Sequence, residues 1–392
     1  MLTQLKFKNW RSLKDETIDF TTPITVFIGA NSSGKTNILD ALRFHRDSLN
    51  KGVLQTVMDS GFMKIQTDAL QNEGDVELRF TYALHPEVSK LPVTEALILK
   101  FDKRDVPFQF ARRLYEADIL IDEVPFREFP LRNVVEVKEL TQSLEEFEQE
   151  KRTHLILHHL YSLTQKRWQI LSEHFKPIHR ISLGGDPYVI ESDAQNTLLI
   201  LDLMRQGFPE IYGELQEVLN WLLGHITGLY IREHRENRDL ELIIQENEGK
   251  GAPTISAGTG RIIAMLTAYY ALDIPQEYSS NGAVQVLPPS FPGLVVIEEP
   301  DTALNPWVVK KFVDQLRDYV DREHPRQFIL TTHNPHMLDF FEPEEIRVVS
   351  RDENGYTTVN RIPDYIKDIW LKDGEYSLGE VWLTNSFGGV PG

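Results

Sequence analysis

A short polar turn near the start of the chain has the residue types needed to bind phosphate. It reads Gly29-Ala30-Asn31-Ser32-Ser33-Gly34-Lys35-Thr36, so two glycines bracket four residues and a lysine and a threonine follow. The glycines let backbone N–H groups approach an anion, and a helix starting near Lys35 directs its positive end at the same anion. Lys35 is expected to reach the β- and γ-phosphates of a nucleotide, and Thr36 to hold Mg²⁺ through its hydroxyl. The next residue, Asn37, is counted with this predicted nucleotide site.

The residues on both sides of the turn favour this interpretation. Ile24, Val26 and Ile28 alternate before the turn, as in a strand. Apolar residues after it recur at helical spacing over residues 38–44. The sequence therefore predicts a strand, a phosphate-binding loop and a helix over about residues 37–49.

Two adjacent acids end an apolar run in the second half of the chain. Residues 294–297 are all apolar, as in a central strand buried on both faces, and Glu298 and Glu299 follow. Ligands gather at the carboxyl ends of strands in such sheets. We assign Glu298 to holding Mg²⁺ and Glu299 to activating the water that attacks a phosphate, because phosphoryl transfer depends on positioning and charge stabilisation.

A histidine ends a similar run further along the chain. Residues 327–332 read as a buried strand, and His333 comes directly after them. A histidine at a strand end can hydrogen-bond a γ-phosphate or the attacking water. Between the two strands, Asn305 and Pro306 have the residue types of an N-cap and a first helical position, which predicts a connecting helix.

Composition narrows the class of protein. The chain has 392 residues, a formal net charge of −18 and no cysteine. The negative charge opposes a protein that coats nucleic acid through a general positive field. Without cysteine there are no disulfides, thiolate metal sites or cysteine nucleophiles. Two basic clusters are interpreted as solvated faces, with a local binding groove as the alternative: Lys6, Lys8 and Arg11, and Arg232, Arg235 and Arg238.

Targeting signals are not evident in the sequence. No apolar run approaches the length of a membrane span, and the first residues lack the apolar core of a signal peptide. We therefore expect a cytoplasmic protein with no membrane partner.

The patterning predicts an α/β protein with a mixed central sheet, an antiparallel β lobe and an inserted helical lobe. Residues 75–82 and 96–101 alternate like antiparallel strands, and apolar spacing over 138–176 predicts amphipathic helices. His154 and His158 in that stretch are interpreted as surface or interface residues, since the spacing fixes no partner carboxylate. One composite domain over 1–392 is expected, with an N-terminal lobe (1–130), a helical insertion (131–227) and a C-terminal lobe (228–392).

Taken together, these motifs resemble those of bacterial ABC-type P-loop ATPases of the RecF/SMC/OLD-like group, also classed with the AAA family. Gly29–Thr36 is similar to Walker A and Leu294–Glu299 to Walker B in the Ile-Glu-Glu-Pro form. Asp301–Asn305 resembles the D-loop, and Thr331–Pro335 the switch histidine segment. Ile255–Leu266 is similar to the signature motif in the Ser-x-Gly-Thr form. The resemblance implies the P-loop fold of ABC-type ATPases.

The resemblance also implies how the site is completed. In the family, the signature segment reaches the γ-phosphate held by a second copy, so ATP is sandwiched in a homodimer; Ser256 and Gly258 are carried over to this role. Asp301 and, from the opening strand, Arg11 are likewise implied to approach the nucleotide. The chain departs from the family in having Glu298 where Asp is commoner, and its glutamine loop is not placed; Gln66 and Gln142 are candidates.

The function that the resemblance implies is a Mg²⁺-dependent ATPase switch. Such proteins serve DNA repair or anti-phage defence with a separate effector, a nuclease or toxin, and no toprim nuclease pattern follows residue 350 here. An ATP-regulated interaction module with little hydrolysis is one alternative. The ATP-binding subunit of a membrane transporter is another, although it predicts a Leu-Ser-Gly-Gly-Gln signature. A nucleic-acid partner stays open and is not favoured by the net charge.

Overall fold

The computed structural model of the protein describes most of the chain outside residues 127–166. The described residues are 1–61, 65, 75–83, 92–100, 109–116, 119–126, 167–176, 178, 180–181, 186–234, 239–247, 251–252, 255–280, 283–287, 293–322, 326–369 and 376–389. Within them, no helix is long and apolar enough to cross a bilayer.

Runs of strands are separated by one or two helices along the described chain. The strands are β1 (Leu2–Trp10), β2 (Leu13–Asp19), β3 (Ile24–Ile28), β4 (Val76–Tyr82), β5 (Val93–Lys100), β6 (Gln109–Glu116), β7 (Ile119–Phe126), β8 (Gln169–Leu171), β9 (Arg180–Ile181), β10 (Ile226–Glu233), β11 (Leu240–Glu246), β12 (Gly251–Ala252), β13 (Gln276–Ser280), β14 (Ala283–Leu287), β15 (Gly293–Glu298), β16 (Arg326–Thr332), β17 (Ile346–Arg351) and β18 (Thr357–Arg361). The described helices are α1 (Lys35–Lys51), α2 (Val53–Ser60), α3 (Thr197–Gly207), α4 (Pro209–Leu223), α5 (Ala257–Tyr270), α6 (Pro306–Val320), α7 (Pro335–Leu338), α8 (Asp364–Ile369) and α9 (Leu378–Leu383).

The chain divides into two compact units. Unit 1 comprises Met1–Lys166, Tyr278–Gln285 and Phe341–Gly392, and unit 2 comprises Arg167–Glu277 and Val286–Phe340. The phosphate loop therefore belongs to unit 1, and the two acids and His333 belong to unit 2. The lobe boundaries expected from the sequence stay predictions.

An antiparallel sheet forms the first part of unit 1. Its strand order is β2-β1-β4-β5-β6-β7, and every neighbouring pair is antiparallel. Along β1, Leu5 and Phe7 are buried whereas Lys6 and Lys8 are exposed, because successive side chains of a strand point to opposite faces. The strands expected at 75–82 and 96–101 are confirmed, and Lys6 and Lys8 lie on the solvated face.

A second group of strands in unit 1 supports the phosphate loop. β3 pairs in parallel with β17, and β17 pairs antiparallel with β18. All five residues of β3 are buried, as expected for a strand inside a sheet. The helix α1 that follows packs against β1 through Phe44 and Trp10, whose ring centroids lie 5.2 Å apart.

Unit 2 is built on three parallel strands. β15 lies between β16 and β8, with parallel pairing to both, and all six of its residues are buried. The helix predicted after Asn305 is confirmed as α6, since Asn305 Oδ1 caps the amide of Trp307 at 2.9 Å and Pro306 is the first helical residue.

One sequence-based assignment in unit 2 is wrong. The spacing of Trp168, Leu171 and Phe175 predicted a helix, but Gln169–Leu171 form the strand β8. Residues 172–176, which follow this strand, are not helical either. All three residues of β8 are buried. A strand buried on both faces shows no alternation of polar and apolar residues, so periodicity alone does not separate it from a helix over so short a stretch.

The rest of unit 2 contains further helices and a hairpin, and some assignments lie outside the described residues. The helices α3 and α4 follow each other directly, and β10 pairs antiparallel with β11. The predicted helices before residue 167, with His154 and His158, and the glutamine-loop candidates Gln66 and Gln142 lie outside the described residues.

The aromatic cluster of unit 2 gives a test of its packing. Phe328 on β16 is fully buried, and its ring centroid lies 6.1 Å from that of Tyr269 and 6.4 Å from that of Tyr319. Phe328→Ala is expected to lower the free energy of unfolding by about 3–5 kcal/mol, because it removes apolar burial and leaves a cavity. Urea denaturation measures the change. Leu54→Ala on α2, where Leu54 is 44% exposed, serves as the control and is expected to change it by less than about 0.5 kcal/mol. Equal changes for the two variants would contradict the packing.

Candidate functional site

The phosphate loop of unit 1 connects a buried strand to a helix start. β3 ends at Ile28 and α1 begins at Lys35. Gly34 precedes the helix with a φ of 115°, a backbone conformation that favours glycine. The predicted order of strand, loop and helix is confirmed.

Both glycines of the loop are required by close neighbours. A Cβ on Gly29 would lie 2.2 Å from the carbonyl oxygen of Val349, and a Cβ on Gly34 would lie 2.0 Å from Oγ1 of Thr357. Neither gap admits a methyl group. The glycine spacing seen in the sequence therefore follows from the approach of β17 and β18 to the loop.

Carbonyl oxygens of the loop are held by donors from the surrounding chain. These bonds run from Lys35 Nζ to Gly29 O (2.7 Å) and Ala30 O (3.0 Å), from Arg351 Nε to Ser32 O (2.9 Å), and from Thr357 Oγ1 to Ser33 O (2.8 Å). An acceptor oxygen facing a phosphate would repel it, so this arrangement suits an anion-binding loop.

Asn37 and Arg11 belong to a polar network beside the loop. Asn37 Nδ2 donates to Ser12 Oγ at 2.6 Å, and Trp10 Nε1 donates to the Asn37 carbonyl at 2.9 Å. The Arg11 guanidinium pairs with Asp40 on α1. The structure thus brings both residues to the helix that follows the loop, and their contact with a nucleotide stays a prediction.

The end of the described chain packs against the loop. The amide of Ala30 donates to the Gly389 carbonyl at 2.7 Å. Gly389 has a φ of 81°, and a Cβ there would lie 2.8 Å from Cγ1 of Val348. The segment after α9 therefore supports the first turn of the loop from within unit 1.

In unit 2, strand register places both acids. Glu298 is paired with Thr331 across β15 and β16, and it is 6% exposed. Glu299 leaves the strand with a φ of 50°, and its amide donates to the Thr331 carbonyl at 3.0 Å. Glu298 and Glu299 are thus consecutive residues with different backbone conformations, one in the strand and one left-handed.

Glu299 and His333 meet at the carboxyl ends of these strands. His333 Nδ1 lies 2.7 Å from Oε1 of Glu299, and Thr302 Oγ1 lies 3.4 Å from the other carboxylate oxygen. The Glu299 side chain is 13% exposed and that of His333 is 51% exposed. A carboxylate held by an imidazole at a partly open site can accept a proton from water, and the role of Glu299 as the base stays a prediction.

Asp301 contacts the residues on both sides of His333. Its carboxylate accepts from Thr332 Oγ1 at 3.2 Å and from Asn334 Nδ2 at 3.0 Å. These contacts fix the backbone that carries the imidazole. Approach of Asp301 to a nucleotide stays a prediction.

The signature segment starts the helix α5. Ser256 caps it, since Ser256 Oγ accepts from the Thr259 amide at 3.1 Å. A Cβ on Gly258 would lie 2.6 Å from the Ala303 carbonyl, so the helix start packs closely on the segment after Asp301.

Burial lowers the pKa of the Arg261 guanidinium on this helix. The nearby carboxylates raise that pKa and so offset part of the effect of burial.

Oxygen donors are available for Mg²⁺. The Thr36 hydroxyl in unit 1 and the Glu298 carboxylate in unit 2 are the ligands expected from the sequence, and Mg²⁺ is bound through one or two carboxylates together with substrate phosphates and water. In the part of the chain that the structure describes, no group of three or more acidic or histidine side chains forms a metal cluster. The donor chemistry of the two residues fits Mg²⁺.

Several residues that shape these loops were missed by sequence reasoning. Arg351, Thr357 and Gly389 hold the phosphate loop from far along the chain, and no spacing links them to it. Arg261 lies inside the signature segment, where its charge in an otherwise small and apolar stretch was the available signal. The structure gathers Gly29–Asn37 and Arg11 in unit 1.

In unit 2, the structure gathers the other predicted site residues. Glu298, Glu299, Asp301 and His333 lie at the ends of β15 and β16, and the signature segment reaches them through Ala303 and Arg261.

Comparison with known proteins gives a family match over most of the chain. The family described as "AAA domain, putative AbiEii toxin, Type IV TA system" matches residues 24–339. The DNA replication and repair protein RecF of Geobacillus sp. (strain WCH70) is 31% identical over 83 residues, 20% of this chain and 22% of that protein. RecF of Lactococcus lactis subsp. cremoris (strain MG1363) is 38% identical over 60 residues, 14% of this chain and 17% of that protein. The chain thus spans only about a fifth of the length of these relatives.

Solved structures of SMC heads are similar in fold. The SMC head bound to the C-winged helix domain of ScpA has a TM-score of 0.56 at 17% identity, covering 93% of this chain and 99% of that one. The Smc head with an extended coiled coil, derived from Pyrococcus furiosus, has a TM-score of 0.52 at 14% identity, covering 95% and 98%. At these identities the likeness shows the fold, and the expected ABC-type P-loop ATPase fold is confirmed.

A pair of neighbouring glycines tests the support of the phosphate loop. Gly388 and Gly389 have φ values of 84° and 81°, but a Cβ on Gly388 meets nothing within 4 Å. Gly388→Ala is expected to cost about 1–2 kcal/mol for its left-handed backbone. Gly389→Ala should cost about 1–3 kcal/mol more, because its methyl group overlaps Val348. Thermal unfolding measures both, and equal losses would contradict the close packing of this segment on the loop.

Proposed function

Because the chain belongs to the AAA-domain family that matches residues 24–339, we propose that the protein binds ATP with Mg²⁺ and hydrolyses it to ADP and phosphate. The observation that carries the proposal is the 2.7 Å contact between His333 Nδ1 and the Glu299 carboxylate at the carboxyl ends of β15 and β16. A glycine-bracketed loop in which the Ser32 and Ser33 carbonyl oxygens accept from Arg351 and Thr357 supports it from unit 1.

Each predicted site residue is assigned a role in phosphate binding, Mg²⁺ binding or proton transfer. Lys35 and the N–H groups of the loop bind the β- and γ-phosphates. Thr36 and Glu298 hold Mg²⁺, which when bound neutralises charge on the phosphate oxygens. Glu299 takes a proton from the attacking water, and His333 keeps the Glu299 carboxylate in place.

The signature segment supports a dimeric arrangement. Ser256 is exposed at the start of α5, and a helix N-terminus favours an anion. We infer that Ser256 and Gly258 of one copy contact the γ-phosphate held by a second copy, so that two copies enclose ATP. The Ser-Ala-Gly-Thr sequence differs from the Leu-Ser-Gly-Gly-Gln form of transporter subunits, which disfavours that alternative.

The cellular role is inferred from the names of similar proteins. The RecF relatives are named for DNA replication and repair, the family description names a toxin of a toxin–antitoxin system, and an SMC head is described bound to a ScpA domain. We propose a switch in DNA repair or anti-phage defence that acts with a separate effector, a nuclease or toxin. The net charge of −18 favours a protein partner over extensive nucleic-acid contact.

Replacing the proposed base tests hydrolysis. Glu299→Gln is expected to lower ATP turnover by about 10²–10⁴-fold, because the amide does not accept the proton of water. Its affinity for ATP should change by less than about threefold, since the variant removes an interaction made in the transition state. Phosphate release and fluorescent ATP titration measure the two quantities. Lys35→Ala is expected to lose ATP binding.

A second glutamate–histidine pair in unit 2 supplies the control. Glu241 Oε2 lies 2.9 Å from Nε2 of His234. Neither residue belongs to the motifs, so Glu241→Gln should keep full turnover. If Glu299→Gln hydrolyses ATP like the wild type, the assignment of the base fails. If the wild type binds ATP but releases no phosphate, the alternative of an ATP-regulated interaction module replaces hydrolysis.

A further inference from the structure

Arg261 holds the backbone of Glu299 from the signature helix. It lies one turn beyond the helix start and is 4% exposed. Its Nη2 donates to the Glu298 carbonyl at 2.8 Å and to the Glu299 carbonyl at 2.5 Å. Two consecutive carbonyl oxygens therefore converge on one nitrogen.

This convergence depends on the conformation of Glu299. In an extended strand, successive carbonyl groups point to opposite sides of the strand. Two neighbouring carbonyl oxygens therefore do not face one donor. Glu299 has a φ of 50°, which turns the chain and brings both oxygens to the same side. A left-handed glutamate is disfavoured by its Cβ, and such residues persist where surrounding groups hold them.

The guanidinium is itself fixed in place. Arg261 Nη1 donates to the Glu173 carbonyl at 3.0 Å, and its Cζ lies 4.2 Å from the centroid of the Phe175 ring. A planar group held by hydrogen bonds on two sides and by an aromatic face has little freedom to rotate. The guanidinium that binds the two carbonyls is therefore held by the segment that follows β8 as well as by its own helix.

The same helix start contacts the segment that follows Glu299. The Gly258 backbone leaves room for no side chain beside the Ala303 carbonyl, and the Ala303 φ of 62° is again left-handed. Displacing the first turn of α5 would thus move both Ala303 and the carbonyls that Arg261 binds.

We propose that Arg261 is a positioning residue that keeps Glu299 in its left-handed conformation, with the carboxylate against His333, and so couples the signature helix to water activation. The inference rests on the proposed ATPase function. Contact of the signature segment with phosphate is thereby transmitted to the base through Arg261, beside the contact of Gly258 with Ala303.

Two substitutions of Arg261 test the proposal. Arg261→Gln removes the double donor, and Arg261→Lys keeps the charge but presents a single ammonium without the planar fork. Turnover should fall about 10–100-fold in Arg261→Gln, the loss expected when a catalytic group is displaced by about 1 Å. Arg261→Lys should recover part of it. ATP affinity, measured by fluorescent ATP titration, should stay within about threefold of the wild type in both variants.

Arg167 provides a matched control at the far end of the same helix. It is also buried, and its Nη2 donates to the carbonyls of Ala271, Leu272 and Ile274. Arg167→Lys should lower the melting temperature and leave turnover per folded molecule unchanged. The comparison separates loss of stability from loss of positioning.

A double variant distinguishes the failure of this inference from that of the ATPase itself. Adding Arg261→Gln to Glu299→Gln should cause no further loss of turnover, because both changes act through one carboxylate. If Glu299→Gln is inactive but Arg261→Gln and Arg261→Lys turn over like the wild type, the positioning role is overturned and the ATPase stands. Should Arg261→Gln fail to fold, full turnover in Arg261→Lys would still overturn the proposal, and reduced turnover with unchanged affinity would support it. If Glu299→Gln turns over normally, the assignment of Glu299 as the base is contradicted, and the positioning role of Arg261 that rests on it is overturned as well.

Discussion

Parallel pairing of β15 with β16 is the constraint on which the acidic cluster depends. The register sets Glu298 opposite Thr331, so Glu299 and His333 leave their strands at the same edge and meet at 2.7 Å. A slip of one residue would turn Glu298 to the opposite face of the sheet and separate this pair. All six residues of β15 are buried, so a change of register would also require these side chains to repack. The chemistry proposed for unit 2 thus follows from how two apolar strands align.

In each unit, an arginine side chain donates a hydrogen bond to the carbonyl of a residue with left-handed backbone. Ser32 has a φ of 65° in unit 1 and Glu299 a φ of 50° in unit 2, and an arginine from a distant part of the sequence donates to the carbonyl of each. Left-handed backbone is unfavourable for residues with side chains, and it persists where neighbouring groups over-determine it. Arg351 and Arg261 therefore keep loop conformations that the local sequence does not favour.

The elements that the sequence predicted well are those whose residues are neighbours in the chain. The strand, loop and helix at residues 24–51, the caps at Asn305 and Pro306, and the strand ends at Glu299 and His333 all follow from local types and spacing. Long-range partners carry no such signal, which is why Thr357 and Gly389 were missed beside the loop. The strand β8 was mistaken for a helix because a buried strand of three residues shows no alternation. The hydrogen bonds from Arg261 to two carbonyls became visible only in the structure, because they join parts of the chain that are distant in sequence.

Complementation between two inactive variants tests the claim that ATP is hydrolysed between two copies. Lys35→Ala removes the phosphate contact and keeps the signature segment, whereas Ser256→Arg blocks the signature segment and keeps the phosphate loop. Each variant alone should be inactive. An equimolar mixture should recover about a quarter of the wild-type turnover, since half of randomly paired dimers are mixed and each mixed dimer keeps one intact site. A mixture of folded variants that is no more active than its parts would contradict a site shared between copies.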